Sequence, residues 1–85
     1  MKQEREEEQM GYDFDFGGAL SRIQNGCAVS RRGWNGPGQF LKLQRPDSGS
    51  KMTLPYIFIT TVQGDLVPWF ASQTDLLAED WFKVV

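Results

Sequence analysis

The sequence predicts a small α+β domain: an antiparallel β-sheet with one N-terminal helix and one short helix before the last strand. Three observations predict it. Apolar residues recur at helical spacing near the start, at Phe16, Ala19, Leu20 and Ile23. Several later runs alternate or are rich in β-branched and aromatic residues, with Gly, Pro or Asp between them. A second helix signal, Ser72 followed three residues later by Asp75, interrupts the strands only once. Helix, four strands, short helix and strand is the order of an α+β domain around an antiparallel sheet.

Each element has its own local cause. Residues 1–12 are acidic and lack apolar spacing, which predicts a flexible or helical arm ahead of a single ligand-binding domain over 13–85. Order is expected from about Tyr12 onward. Asp15 caps the first helix and Asn25-Gly26 stops it. Gly17 and Gly18 weaken its first turn by about 1 kcal/mol each relative to alanine, or let a neighbouring backbone approach. Ala28 to Arg32 reads as a strand with Val29 and Arg31 on one face, Ser30 and Arg32 on the other. Gly33 to Gly38 is a loop, and in the strand Gln39 to Gln44, Phe40, Lys42 and Gln44 alternate with Leu41 and Leu43.

Residues 45–54 (RPDSGSKMTL) form a Pro/Gly/Ser-rich connection, a candidate flap over a ligand. Pro55 to Val62 is so continuously apolar that a central strand covered on both faces is expected. Gln63-Gly64-Asp65 turns tightly into Leu66 to Trp69, where Pro68 implies an edge or a strand end. Ser72 and Asp75 start a helix of about two turns, running to about Glu79. In the closing strand, Asp80 to Val85, Phe82 and Val84 alternate with Trp81, Lys83 and Val85.

With 85 residues, the chain buries only about 60–65% of its unfolded surface, so the core is thin. Such a chain often completes a pocket with a second copy, and a homo-oligomer is the expectation. There is no histidine and a single cysteine, Cys27, which reads as packing at a helix end, without an activating histidine. No metal or cofactor is expected. No apolar run approaches a membrane span and the N-terminus is not signal-like, so a cytoplasmic protein without membrane attachment is expected. The net charge of −2 is uneven: residues 1–15 hold six acids against two bases, and the remainder is net basic. An anionic ligand is therefore compatible with the folded part, whereas long nucleic acid is not expected, because no basic stripe exists.

Catalytic chemistry is sparsely supplied. Asp75, Glu79 and Asp80 are the acids near one short helix, and their use in a nucleotide-degrading enzyme is one alternative. Helix capping and solvation are the plainer roles. Binding groups are richer. Trp34 and Trp69 lie near loops and offer faces for stacking a base, worth about 1–3 kcal/mol each. Asn35 carries a donor and an acceptor that suit an adenine edge. Gly36 and Gly38 leave amides accessible, and Arg31 or Arg32 suits a phosphate. Ser72, Gln73 and Thr74 offer further donors at a helix start. Against this stands packing, with Trp34 and Trp69 as caps on a thin core. A third alternative is a structural or protein-interaction module that uses the acidic arm.

Two segments together carry a resemblance. Phe16 to Gly36 (FGGALSRIQNGCAVSRRGWNG) and Leu66 to Trp81 (LVPWFASQTDLLAEDW) resemble, in this order and spacing, the phage Thoeris anti-defence proteins of the second type. The match spans residues 14–85, while the acidic arm and the 45–54 loop depart from it. The resemblance implies a non-enzymatic sponge. It would bind a glycocyclic ADP-ribose signal of Thoeris immunity without cleaving it, as a homotetramer, in the cytoplasm of an infected bacterial host. It also implies that cyclic oligonucleotides bind some members elsewhere. Carried over residue by residue, the implied ligand contacts are Trp34, Asn35 and Gly36 in the first segment and Trp69, Ser72, Gln73 and Asp75 in the second. Arg32 joins them on charge, and Arg31 is left unassigned.

Overall fold

The computed structural model describes residues 13–84; the acidic arm and Val85 lie outside them. Seven elements appear in the expected order: α1 (Phe16–Gln24), β1 (Ala28–Arg31), β2 (Phe40–Gln44), β3 (Tyr56–Thr60), β4 (Leu66–Pro68), α2 (Gln73–Leu77) and β5 (Trp81–Val84). The strands form one sheet in the order β4-β3-β2-β1-β5, with every neighbouring pair antiparallel. The last strand thus lies beside the first. That closure brings α2 and the segment before β5 against the end of β1.

The helix starts where its cap predicts. Asp15 Oδ1 accepts the Gly18 N–H at 2.9 Å, supplying a partner to a first-turn donor. Ala19 and Ile23 point inward from α1 and are fully buried. They meet Val29, Leu41 and Trp81, which are likewise fully buried and lie on one face of the sheet. Burying Ile23, Val29 and Leu41 stabilises the fold by about 1.5–3 kcal/mol each. Trp81 is the largest buried side chain. Its indole N–H donates to the Asp75 backbone carbonyl at 3.1 Å, so the buried polar atom is satisfied.

The pairing register assigns the two faces. Val29 stands opposite Leu41 and Lys83, Leu41 opposite Ile59, Leu43 opposite Ile57, and Arg31 opposite Trp81, all on the face that α1 covers. The other face carries Ser30, Phe40, Lys42, Tyr56, Phe58, Thr60, Phe82 and Val84, and no described element of the chain packs over it. This corrects the expectation that β3 is covered on both faces. In sheet order β3 has a neighbour on each side, but only Ile57 and Ile59 join the core, and Tyr56 is exposed. A continuous apolar run says that both faces avoid water, not that one chain covers both.

Other boundaries shift modestly. The 61–65 turn closes through Thr61 N–H to Asp65 O at 2.8 Å, which ends β3 at Thr60 rather than Val62. The helix α2 is five residues long rather than two turns, because Ala78 is already extended at φ −72 and ψ 151. No helix among the described residues is long and apolar enough to cross a membrane.

Candidate functional site

The predicted site residues lie on two segments, 31–39 and 69–80, and a shared hydrogen-bond network joins them. Its hub is Asp75, buried at 8% exposure. Ser72 and Asp75 form a reciprocal capping box: the Ser72 hydroxyl accepts the Asp75 N–H at 3.0 Å, and Asp75 Oδ2 accepts the Ser72 N–H at 3.1 Å. Asp75 Oδ1 faces the other way. It accepts the Trp34 indole N–H at 3.1 Å and Arg31 Nη1 at 2.9 Å. One carboxylate therefore starts α2 and ties down the loop that follows β1.

A second carboxylate completes the tie. Arg31 Nε donates to Asp80 Oδ1 at 2.7 Å and Nη2 reaches Asp80 Oδ2 at 3.3 Å. Asp80 Oδ2 also accepts the Gly33 N–H at 2.8 Å. The Arg31 and Asp75 side chains retain only 12% exposure each, and Asp80 keeps 30%. Burial alone pushes the Asp75 carboxyl up. The Trp34 indole, the Ser72 amide and the Arg31 guanidinium outweigh it and hold the carboxyl below the usual range. For Asp80 the Arg31 hydrogen bond leads, and it too is held low. Arg31 is pushed up, chiefly by Asp80. All three groups are thus charged at neutral pH.

The tryptophans are arranged around Trp81. Trp34 meets it edge-on at a centroid distance of 5.4 Å and Trp69 at 6.1 Å. Trp69 also contacts Phe16 at 6.0 Å, and its backbone N–H donates to the Ile57 carbonyl at 3.0 Å. Both rings are half-buried, so each has one side on the core and the remainder toward solvent. Packing and presentation are both served. Trp69 further lines an apolar groove of about 510 Å³ with Met52, Leu54, Tyr56, Pro68 and Phe70 among its walls. That volume falls within the range of small-molecule sites. The 45–54 connection reaches this groove through its end, while Asp47 and Ser50 brace its turn internally.

The remaining predicted residues are placed differently. Asn35 and Gly36 stand in the exposed turn after Trp34, where Gln39 Nε2 donates to the Asn35 carbonyl at 2.6 Å. Gly36 has φ +95, and a Cβ there would meet Val62 Cγ2 at 2.6 Å, so glycine is required for shape at this turn. Ser72 and Gln73 are exposed at the start of α2. Arg32 points away from the Asp75 network: it pairs with Asp13 at 3.0 Å and lies over the Phe82 ring at 4.2 Å, on the uncovered sheet face. Glu79 is exposed.

Sequence reasoning missed Arg31 as the central link and Asp80 as its main partner. The strand alternation held the signal. Arg31 shares a face with Val29, and a cation on the covered face of a small sheet requires a buried partner.

Comparison with known proteins identifies the family. The family model described as a Thoeris anti-defense 2-like domain (Tad2-like) matches residues 14–84. The chain is similar to a protein named Thoeris anti-defense 2 from Bacillus phage SP01, with 39% identity over 79 residues, covering 78% of this chain and 89% of that protein. The matched span contains both segments of the site. The chain belongs to the Thoeris anti-defense 2-like family.

Proposed function

We propose that this chain is a phage anti-defence protein that inhibits Thoeris immunity by binding a cyclic ADP-ribose-type signal, glycocyclic ADP-ribose, and holding it uncleaved. It acts in the cytoplasm of the infected bacterium, as a homotetramer. The observation that carries this proposal is the family match, whose span, residues 14–84, includes both the Trp34 and the Trp69 segments. The chemistry fits. Two half-buried indoles offer faces for a base, Asn35 an edge reader, and the exposed start of α2 donors for phosphate.

The enzymatic alternative fares worse on geometry. A general acid or base needs a carboxylate that can exchange protons near the working pH. Asp75 and Asp80 are held low and occupied by Arg31, Trp34, Ser72 and Gly33. A sponge needs only affinity and slow release.

The oligomer draws support from the uncovered sheet face. Phe40, Phe58, Phe82 and Tyr56 lie there beside a single lysine, Lys42. The three phenylalanines are half-buried and Tyr56 is exposed, and an apolar face of this kind marks an interaction surface. A test combines the purified protein with glycocyclic ADP-ribose, removes it by filtration, and assays the filtrate for activation of the Thoeris effector. Loss of activation supports the proposal, and a filtrate as active as the protein-free control contradicts it.

A further inference from the structure

We propose that Arg31 is the positioning residue of the candidate ligand site, setting the Trp34 indole through Asp75 and the 33–38 loop through Asp80. The inference rests on the sponge reading for its functional meaning, but its geometry stands independently.

Arg31 is the last residue of β1, opposite Trp81 in the register with β5. At 12% side-chain exposure its cation must be paired, and it divides its donors between two carboxylates 2.7 and 2.9 Å away. The oxygen it fixes on Asp75 is the same Oδ1 that accepts the Trp34 indole N–H. The direction of the Trp34 ring is thereby set by an atom that Arg31 holds in place. Asp80 acts on the backbone of the same loop through the Gly33 N–H. Trp34 is therefore held by its side chain and by the residue before it, from two acids joined by one guanidinium.

The planar fork matters. A lysine at this position supplies a point charge without the fixed two-sided geometry, so it reaches one acid at a time. With no cation, Asp75 and Asp80 are left as two carboxylates without their shared partner, and the pair is driven apart or toward protonation. For a stacking ligand the consequence is preorganisation: a ring already oriented costs less to order on binding. Arg31 has no need to touch the ligand to control its affinity.

The test compares the full chain with Arg31→Met, Arg31→Lys and Asp80→Asn. Lys83→Met serves as a surface control, since Lys83 is an exposed cation on β5 outside both segments of the site. Nitrogen-15 spectra resolve the three indole N–H signals, and hydrogen exchange at each is followed without ligand. Trp34 should lose protection in Arg31→Met while Trp81, bonded to the Asp75 backbone, keeps its own. Arg31→Lys should fall between, and Asp80→Asn should loosen the Gly33 amide. Capture of glycocyclic ADP-ribose by folded Arg31→Met should weaken about tenfold or more, with partial rescue by lysine. Unchanged Trp34 protection in Arg31→Met, or Trp34 and Trp81 loosening together, overturns the positioning role. Weakened capture with an unmoved Trp34 signal also overturns it, because Arg31 then contacts the ligand directly. If the unmodified chain captures no nucleotide, the sponge reading fails while the indole signals still decide the positioning role of Arg31.

Discussion

Trp34 donates its indole N–H to Asp75 Oδ1 at 3.1 Å, joining residues 41 positions apart. A tryptophan that the sequence offers either as a stacking face or as a cap on the core is bonded to a buried carboxylate and packed edge-on against Trp81. Any test of its ligand role has to separate the two.

Trp34→Phe makes that separation. It keeps a ring against Trp81 and removes only the donor, leaving Asp75 with Arg31 and Ser72. A loss of about 0.5–1.5 kcal/mol is expected in urea unfolding. Trp34→Ala also removes the packing and should cost about 2–4 kcal/mol, so lost capture in that variant alone does not identify a contact. Phe retaining full stability would show that the indole hydrogen bond carries no weight.

Gly36 and Gly38 give a paired prediction. Both have positive φ, +95 and +82, but only Gly36 has a neighbour, Val62, in the way of a Cβ. Gly38→Ala should cost about 1 kcal/mol from backbone conformation alone. Gly36→Ala should cost about 1–2 kcal/mol more, because Val62 must move. Equal urea midpoints for the two variants would show that the turn gives way without strain.

The Arg31 network sets an acid limit. Asp75 and Asp80 are held below their unfolded values, so their contribution is complete above an unfolded pKa of about 3.9. It is lost as pH falls through the lowered folded values. Melting temperature should therefore gain nothing from these groups between about pH 5 and 8, and should fall below about pH 4. Asp80→Asn should flatten that acid slope. Arg31, pushed up, stays charged throughout and contributes no pH dependence in this range.

The uncovered sheet face predicts how assembly fails. Phe58→Glu places a charge on this face beside Tyr56 and opposite Lys42, where the proposed partner copy packs. Sedimentation should show a smaller species while circular dichroism retains the sheet. An unchanged mass would move the interface elsewhere on the chain.

Local features were the legible ones. Asp15 before a 3.6-residue repeat and the Ser72–Asp75 spacing specify helix starts through neighbouring atoms, and both caps formed as read. Strand alternation assigned the correct faces to Arg31, Leu41 and Trp81, since side-chain period is a property of the strand itself. The Arg31–Asp80 pair was not legible, because it depends on β5 folding back beside β1 across 49 residues. The environment of β3 was misjudged for a related reason: the sequence of Tyr56 to Thr60 encodes avoidance of water without encoding which surface provides it. Within the site, Trp34, Ser72 and Asp75 come together, while Arg32 turns to Asp13 on the opposite face.

Mass spectrometry of the heat-released nucleotide tests the sponge proposal most directly. The chain is loaded with glycocyclic ADP-ribose, freed of unbound nucleotide, denatured by heat, and the released material is identified. Recovery of intact glycocyclic ADP-ribose in stoichiometric amount is the predicted result. Recovery of an altered nucleotide, or of none, would contradict it.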